Sequence, residues 1–483
     1  MKTPNIILIT TDQQRFDTIQ SYGAPTWTPH LNWLVDNGIT FTRAYSDCPV
    51  CMPARLSIMA GMPAWKHGVL SNRYQPGALD PEQTLPAALQ RAGYQTRLFG
   101  KHHHGPSTRH LMGFAAQETI THYDQYLRDV GLPDRSAHGI GGNEHVPGFG
   151  SVPFEHSLAS WIVERACRFM EHRDPDMPFF TWLSFNKPHP PLDVSPEVMK
   201  MYEGSPITGP ITAEWSRRDS AQSERGNGLS PAWHAVTDEL SMTGRLQDWQ
   251  LLQLRRAYYA AVTEVDLNLG KLFGYLTARG LLEDTWIIFT SDHGEMLGDH
   301  GMGGKCVPFE GSAHVPLIVR PPFSRRDYRS EPRRGTESPA LVTLPDISRT
   351  IAELGQAETF IPDSATVNLL SAGEQGIGRR QVYGNCMYLH YLLNERLKYC
   401  YESLDHTELL FDLSNDPEER RDLSGDANYR SAIETMRGEV QSHMKETERV
   451  VKQLDAQTDP GVLVSTDTTP RNTQPGHPKG LRP

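Results

Sequence analysis

The sequence lacks the long apolar segments that mark membrane-spanning helices and signal peptides. It has no run of about 18 apolar residues, so the sequence predicts no membrane-spanning helix and no membrane partner. The opening residues, 1–4, lead directly into a short apolar stretch, 6–9, which is too short for a signal peptide and has no cleavage site. We therefore expect a cytoplasmic protein.

Cysteine and positive charge are also scarce. Six cysteines scattered over 483 residues do not form a disulfide framework, and we expect them to be free thiols. The formal net charge is −11, with 47 Lys and Arg against 58 Asp and Glu, which argues against nucleic acid as a partner. An anionic substrate would therefore have to be held by local positive charge.

Short apolar runs alternate with segments of helical periodicity through most of the chain. Runs that end in polar residues are typical of buried strands in a parallel sheet. Strands that alternate with helices predict an α/β fold with a large, mostly parallel sheet sandwiched by helices. The predicted strands are 5–10, 95–99, 179–185, 286–290 and 315–319, and the predicted helices are 31–37, 84–92, 154–171, 249–282 and 344–354.

The pattern changes after about residue 378. Short β-like runs at 381–383, 388–393, 397–402 and 408–413 precede a helix at about 427–446, which predicts a smaller C-terminal α+β domain with an antiparallel sheet. We therefore divide the chain into a large domain, 1–377, a small domain, 378–458, and an extended or disordered arm, 459–483, that could reach a neighbouring subunit in a homo-oligomer. Residues 207–244 have weak periodicity and are predicted to be an insertion over the sheet.

The pentapeptide 51–55, Cys-Met-Pro-Ala-Arg, is predicted to open a helix. Pro53 suits the first turn, so Cys51 would lie at the helix N-terminus, where free N–H groups and the helix dipole favour an anion. Arg55 lies one turn further on, on the same face. A buried structural cysteine before an ordinary helix would show the same pattern. The Cys48-x-x-Cys51 spacing also suits a redox pair or half a zinc site, but no second Cys-x-x-Cys exists to complete one.

Acidic residues follow two of the predicted strands. Asp12 comes after the first strand, and Asp292 and His293 come after the fourth. Functional groups collect at the carboxyl ends of strands in an open α/β sheet, so these side chains can converge although they are distant in sequence. Convergent carboxylates favour a divalent cation. Either aspartate alone could be an ordinary loop residue, but together with position 51 they predict a metal site.

These motifs resemble those of the sulfatase family, the formylglycine-dependent members of the alkaline phosphatase superfamily. The pentapeptide is similar to the family's Cys-x-Pro-x-Arg signature, in which a formylglycine-generating enzyme oxidises the cysteine to an aldehyde. The segments 11–15 and 291–295 look like its metal-binding signatures. Further segments match in the family's order, namely 100–105, 185–190, 304–311 and 410–423.

The resemblance implies an alkaline phosphatase-like fold and hydrolysis of the S–O bond of a small sulfate monoester. It implies that Asp12, Asp292 and His293 bind one divalent cation, with Gln13 and the modified Cys51 as further ligands. Gln13 stands where the commonest pattern has a second aspartate, so the site carries one negative charge fewer. Calcium is the family default, whereas a nitrogen ligand suits manganese or zinc better.

The resemblance also assigns catalytic roles. The hydrated aldehyde would attack sulfur, a histidine or lysine would protonate the leaving alcohol, and a second histidine would help to expel sulfate. Each residue alone has a plain alternative: 102–104 as a metal-scavenging tract, Lys305 as a solvated lysine and His189 as a turn residue. The implied catalytic residues are Cys51, Arg55, Lys101, His103, His189 and Lys305.

Two rival functions stay open. The opening Asp-Gln-Gln-Arg at 12–15 also resembles phosphonate monoester and phosphodiester hydrolases that use the same formylglycine site. A non-catalytic binding protein is the second rival, although the chain retains every charged residue of the pocket. The insertion 207–244, the loop 108–153 and the C-terminal arm are expected to shape the site for the alcohol, and a sulfated sugar or a short alkyl sulfate is the expected kind of small substrate.

Overall fold

A computed structural model describes residues 3–73, 75, 77–105, 110–216, 246–323, 334–404 and 406–457. Its strands form a large sheet, a small sheet and a two-stranded ribbon. In chain order the strands are β1 (Asn5–Asp12), β2 (Ile39–Tyr45), β3 (Gln95–Gly100), β4 (Ala116–Thr119), β5 (Pro147–Phe149), β6 (Phe179–Pro188), β7 (Leu192–Val194), β8 (Thr285–Ser291), β9 (Leu317–Arg320), β10 (Thr336–Thr343), β11 (Gln381–Cys386), β12 (Leu389–Asn394), β13 (Leu397–Glu402) and β14 (Glu408–Asp412).

The large sheet has eight strands in the order β10-β2-β9-β8-β1-β6-β3-β4. All neighbours pair in parallel except β9, which runs antiparallel to both β8 and β2. β1 lies between β6 and β8, and all of its residues are buried, as expected of an apolar strand covered on both faces. The carboxyl ends of β1 and β8 therefore lie side by side.

Helices cover both faces of this sheet. Ile6 and Leu8 of β1 point into one apolar cluster, and Ile7 and Ile9 point into the other, as the two-residue period of a strand requires. The predicted sheet sandwiched by helices is confirmed. In chain order the helices are α1 (Pro29–Asn37), α2 (Cys51–Ala60), α3 (Ala64–His67), α4 (Leu85–Arg91), α5 (Ile120–Asp129), α6 (Leu158–His172), α7 (Pro196–Lys200), α8 (Asp248–Ala278), α9 (Glu310–Ala313), α10 (Pro345–Leu354), α11 (Leu369–Gln375) and α12 (Arg430–Gln457).

The four C-terminal strands form an antiparallel sheet in the order β11-β12-β13-β14. Ile433, Met436 and Val440 of α12 pack on it, so the predicted small α+β unit is confirmed. Helix α12 runs beyond its predicted end, and its late residue Leu454 lies against Gly68, which follows α3. The domain boundary at 377/378 stays a prediction. The arm at 459–483 and residues 217–244 of the insertion lie outside the described residues.

No helix in the described ranges combines the length and the apolarity needed to cross a membrane. All six cysteines have free thiols. The Cys48 thiol lies 3.8 Å from the carbonyl oxygen of Leu70, whereas the Cys51 thiol points into a cluster of charged side chains at the carboxyl edge of the large sheet. The structure therefore does not pair these two thiols.

Candidate active site

Two neighbouring strand ends and the start of one helix build this cluster. Thr11 of β1 pairs with Ser291 of β8, which brings the next residues, Asp12 and Asp292, together. Helix α2 begins at Cys51, as the pentapeptide predicts. Its N-terminus faces the same edge of the sheet because the Cys51 Sγ lies 3.8 Å from Asp12 Oδ1.

The Cys51 side chain is the centre of the cluster. Its Sγ lies 3.2 Å from His293 Nε2 and 3.1 Å from Lys305 Nζ. Burial opposes ionisation of this thiol, but the charges of Lys101, Lys305 and His293, together with a hydrogen bond from His103, hold its pKa well below the usual value. The position therefore favours a negatively charged or strongly polar group.

Arg55 forms ion pairs with both aspartates. Its Nη2 lies 3.3 Å from Asp12 Oδ2, and its Nε donates to Asp292 Oδ2 at 2.9 Å. Its Nη1 donates to the Ser184 hydroxyl at 2.5 Å and to the Lys101 carbonyl at 3.3 Å. The guanidinium is fully buried, so its charge is committed to these carboxylates rather than to solvent.

The two carboxyl groups differ in their ionisation. Burial and Cys51 act to raise the pKa of Asp12, but Lys101, His189 and Lys305 outweigh them and bring it below its usual value. Burial and the nearby charge of Asp12 raise the pKa of Asp292. Two adjacent buried carboxylates repel each other, and added positive charge between them would relieve that repulsion.

Two lysines reach the cluster from other elements. Lys101 follows β3, and its ammonium group contacts Asp12 Oδ2. Lys305, in the loop before α9, donates to Gln13 Oε1 at 2.7 Å as well as to Cys51. Burial opposes the charged form of Lys305, but Cys51 and Asp12 raise its pKa above the usual value, so it is a cation at neutral pH.

His103 and His189 both interact with the Cys51 thiol. The Nδ1 of His189 lies 2.7 Å from the Pro190 carbonyl oxygen, which can only accept, so Nδ1 carries a proton and Nε2 is left for other partners. Burial and the charge of Lys305 lower the pKa of His189 to about 4. His189 is therefore neutral in the ligand-free protein at neutral pH.

The residues predicted to bind a metal fit that role. Asp12, Cys51, Asp292 and His293 each offer one ligand atom, and all four atoms lie within 4.8 Å of one another. The Nδ1 of His293 lies 2.9 Å from the carbonyl oxygen of Gly294, so Nδ1 carries the proton and Nε2 offers a lone pair to the cluster. Two carboxylates and an imidazole form a donor set suited to a divalent cation.

The sequence analysis did not identify three residues that form hydrogen bonds with the predicted site residues or with their partners. Glu295 is buried, and it accepts hydrogen bonds from Gln13 Nε2 and, at 3.0 Å, from His145 Nε2. Glu295 ends the segment 291–295 that carries the metal motif, so an acidic residue at a buried strand end was a usable signal. His145 and Ser184 stand in segments without a recognisable pattern, and only the tertiary fold brings them here.

All ten residues predicted for the site therefore meet at one place, although their individual roles stay predictions. The sheet topology and the charged pocket at its carboxyl edge define a hydrolase of the alkaline phosphatase superfamily. The Sulfatase family model matches residues 4–357, so the chain belongs to the sulfatase family.

Similar proteins agree with this assignment. The chain is 29% identical over 473 residues to an arylsulfatase of Clostridium perfringens, which covers 90% of this chain and 93% of that protein. It is 24% identical over 532 residues to an N-acetylglucosamine-6-O-sulfatase of Bacteroides thetaiotaomicron, covering 96% and 90%. It also resembles the crystal structure of a phosphonate monoester hydrolase of Agrobacterium radiobacter, with a TM-score of 0.73, 25% identity and coverage of 92% and 96%. The predictions of family, fold class and sulfuric ester hydrolase activity are confirmed.

Proposed function

We propose that the protein hydrolyses the S–O bond of a small sulfate monoester, using a formylglycine at position 51 and one divalent cation. The observation that carries the proposal is the position of Cys51, buried at a helix N-terminus among lysine, histidine and carboxylate groups. An unmodified thiolate would trap the transferred group, whereas a hydrated aldehyde supplies the attacking hydroxyl and can release sulfate afterwards.

Binding of the sulfate group falls to the positive side chains around Cys51. Lys101 and Lys305 lie within reach of the group at position 51, and Arg55 lies beneath it. A bound divalent cation would add positive charge between Asp12 and Asp292. Because these groups are buried, their charges act in a low dielectric, where they stabilise developing charge more strongly than they would in water.

We propose His189 as the acid that protonates the leaving alcohol. Its pKa is low in the free protein partly because of the neighbouring charge of Lys305. The negative charge of a bound sulfate ester beside His189 would offset the charge of Lys305 and so raise the His189 pKa. His103, on the thiol of Cys51, is the proposed base that returns the site to its starting state, and Lys305 is the second candidate for the acid.

Calcium is the proposed cation, with manganese or zinc as the alternatives. Asp12, Asp292 and the amide oxygen of Gln13 are hard oxygen ligands that suit calcium, whereas the imidazole of His293 suits manganese or zinc better. Replacement of calcium by each metal in chelator-treated protein, followed by activity and by the amount of bound metal, would identify the ion.

We propose a sulfated sugar as the substrate class, because similarity to an N-acetylglucosamine-6-O-sulfatase extends over 96% of this chain. The alternative is a phosphonate monoester or phosphodiester, which the likeness to a phosphonate monoester hydrolase favours. Relative rates on a sulfated glucosamine, an aryl sulfate, a phosphonate monoester and a phosphodiester would separate these. A cytoplasmic location and a formylglycine-generating enzyme as maturation partner belong to the same proposal.

Replacement of Cys51 by Ala tests the core of the proposal. We expect turnover to fall by at least about 10⁴-fold while the unfolding curve stays close to that of the parent, because the nucleophile is lost and only a small side chain is removed. Cys167→Ala, in a half-buried thiol on α6, is the matched control and should keep full activity. Near-normal activity of Cys51→Ala, or an intact thiol in the tryptic peptide 44–55 of fully active protein, would refute it.

A further inference from the structure

The Gln13 side chain lies between a hydrogen-bond donor, the ammonium group of Lys305, and an acceptor, the carboxylate of Glu295. Its Oε1 accepts a hydrogen bond from Lys305 Nζ, and an ammonium group can only donate. Its Nε2 donates to Glu295 Oε2, and an ionised carboxylate can only accept. The two ends of the amide are therefore distinguished by their partners, and the oxygen shares the Lys305 ammonium group with the Cys51 thiol.

Glu295 is itself held in place by several donors. His145 Nε2 donates to its Oε2 at 3.0 Å, while the backbone N–H groups of Leu297, at 2.9 Å, and Gly304, at 2.5 Å, donate to Oε1. With Gln13 Nε2 included, each oxygen of the buried carboxylate accepts hydrogen bonds from two donors. The carboxylate is thus a fixed acceptor that stands directly behind Gln13.

We propose that Glu295 is a positioning residue for the cation: it holds the Gln13 amide with its oxygen toward the metal ligands and supplies, one hydrogen bond further out, a negative charge that the neutral amide lacks. The inference rests on the proposed metal role of Gln13. A partner in the second layer that orients a ligand and adds charge behind it is a general way to tune a metal site. Gln13 also has φ 71°, a backbone conformation that residues other than glycine seldom adopt.

The competing explanation is that Glu295 only organises the loop from Met296 to Gly304, through its bonds to Leu297 and Gly304. In that case Glu295 would affect the cation through general stability or through its overall charge, independently of Gln13. The two explanations differ in whether the effect of changing Glu295 depends on the side chain at position 13.

A double-mutant cycle with Glu295→Gln and Gln13→Ala distinguishes them. Calcium chloride and, separately, manganese chloride are titrated into the chelator-treated full-length proteins, and the dissociation constant is measured by calorimetry, which needs no turnover. We expect Glu295→Gln to weaken cation binding by at least about 10-fold when Gln13 is present, because a glutamine at 295 no longer selects one orientation of the amide. In the Gln13→Ala protein the same change should weaken binding by less than about 3-fold.

Two other outcomes would contradict the proposed role of Glu295. Equal effects of Glu295→Gln in both backgrounds would overturn the positioning role but leave the proposed metal site standing. Unchanged cation affinity in Gln13→Ala would instead remove Gln13 from the proposed site and the inference with it. Glu264→Gln, in a buried carboxylate on α8 that accepts hydrogen bonds from Ser195, is the matched control and should leave the dissociation constant unchanged.

A second measurement applies if Glu295→Gln does not fold. In crystals of the parent protein loaded with manganese, anomalous scattering would locate the ion relative to Gln13. An ion in contact with the Gln13 oxygen, with the nitrogen on Glu295, supports the proposal. An ion bound by Asp12 and Asp292 with Gln13 turned away from it overturns the proposal.

Discussion

Arg55 shows at the level of a single residue how the site depends on charge balance. Two buried carboxylates face each other across its guanidinium, which satisfies one oxygen of each. Removing one partner from a buried ionic group leaves an uncompensated charge, and the cost of that exceeds what the pair itself contributes. The sequence predicts a catalytic role for Arg55, whereas in the structure its guanidinium pairs with the two carboxylates that are predicted to bind the metal.

Arg55→Met should therefore destabilise the protein most when the cation is absent. We expect a loss of about 3–5 kcal/mol in chelator, because Asp12 and Asp292 are left without their buried partner, and a clearly smaller loss with saturating calcium. Urea unfolding with and without calcium measures both values. Arg349→Met, in an exposed pair with Glu353, is the control and should cost less than about 0.5 kcal/mol. Equal losses for Arg55→Met in both conditions would contradict this reasoning.

The residues that sequence reasoning found and those it missed differ in a physical way. Asp12, Cys51 and Asp292 stand where a strand ends or a helix begins, so local pattern predicts both their position and their chemistry. Glu295 and His145 act through hydrogen bonds between segments far apart in the chain. Such contacts depend on how the loops cross, so a local pattern can mark Glu295 as a candidate but cannot identify its partners.

At the level of elements, the turn from β3 to the pocket depends on a glycine. Gly100 has φ +103°, a conformation that residues with a side chain rarely adopt, and it ends the strand directly before Lys101. A Cβ at this position would overlap the carbonyl oxygen of Ser184 on β6 and would lie 2.7 Å from the Ile162 side chain on α6. The close approach of β3 to β6 therefore positions both Lys101 and Ser184 under the site.

Gly100→Ala should lower the free energy of unfolding by at least about 3 kcal/mol, since backbone strain adds to a steric overlap with the backbone of β6. It should also reduce turnover, because Lys101 moves with the strand end. Gly93→Ala is the matched control: Gly93 has φ +87°, but no atom lies within 4 Å of its added Cβ. It should cost about 1 kcal/mol and keep activity. A Gly100→Ala protein no less stable than Gly93→Ala would count against this explanation.

Among the strands of the large sheet, those with strong apolar patterns were predicted correctly and weakly patterned ones were missed. β1, β3, β6 and β8 match their predicted positions with small extensions at the ends. The pattern missed β2, which carries exposed Thr42 in its middle, and the edge strand β4, and β10, which begins with polar residues. It also did not predict that β9 runs antiparallel, because strand direction follows from the path of the chain and not from composition.

At the level of the whole molecule, a buried ionic cluster links the small sheet to helix α9 of the large domain. Lys398 of β13 is fully buried and pairs with Glu310 of α9 at 2.8 Å and with Glu419 at 2.9 Å. His314 lies 2.7 Å from the other oxygen of Glu310. An apolar cluster that includes Phe309 and Phe411 surrounds this contact. The loop that carries Lys305 leads into α9, so the small sheet supports one wall of the active site.

The stability of the molecule should fall as the pH drops below about 6.5. For five histidines burial lowers the pKa to about 4, so the unfolded chain takes up protons that the folded protein does not. Each is expected to contribute about 2 kcal/mol of lost stability between pH 7 and pH 5. The five histidines are His67, His102, His189, His300 and His390. Burial raises the pKa of Asp47 to about 6 and of Glu419 to about 7, and these two carboxyl groups change the stability in the opposite direction.

Urea unfolding at pH 7.5, 6 and 5 measures this loss. His390→Phe should reduce the loss of unfolding free energy at low pH by the contribution of one histidine, because a phenylalanine takes up no proton in either state. His172→Phe, at an exposed position on α6, is the control and should leave the slope unchanged. Stability that is constant from pH 7.5 to pH 5 would show that these histidines do not stay neutral in the folded protein.

The central place of β1 has a consequence for the timing of maturation. Both neighbours of β1 come late in the chain, β6 beginning at Phe179 and β8 at Thr285, whereas Cys51 is only 1% exposed once the sheet is complete. At ribosomal speeds the interval between synthesis of Cys51 and synthesis of β8 is on the order of tens of seconds. An enzyme that oxidises Cys51 would have to reach it within that interval, so the late completion of the sheet would set a time limit for the proposed modification.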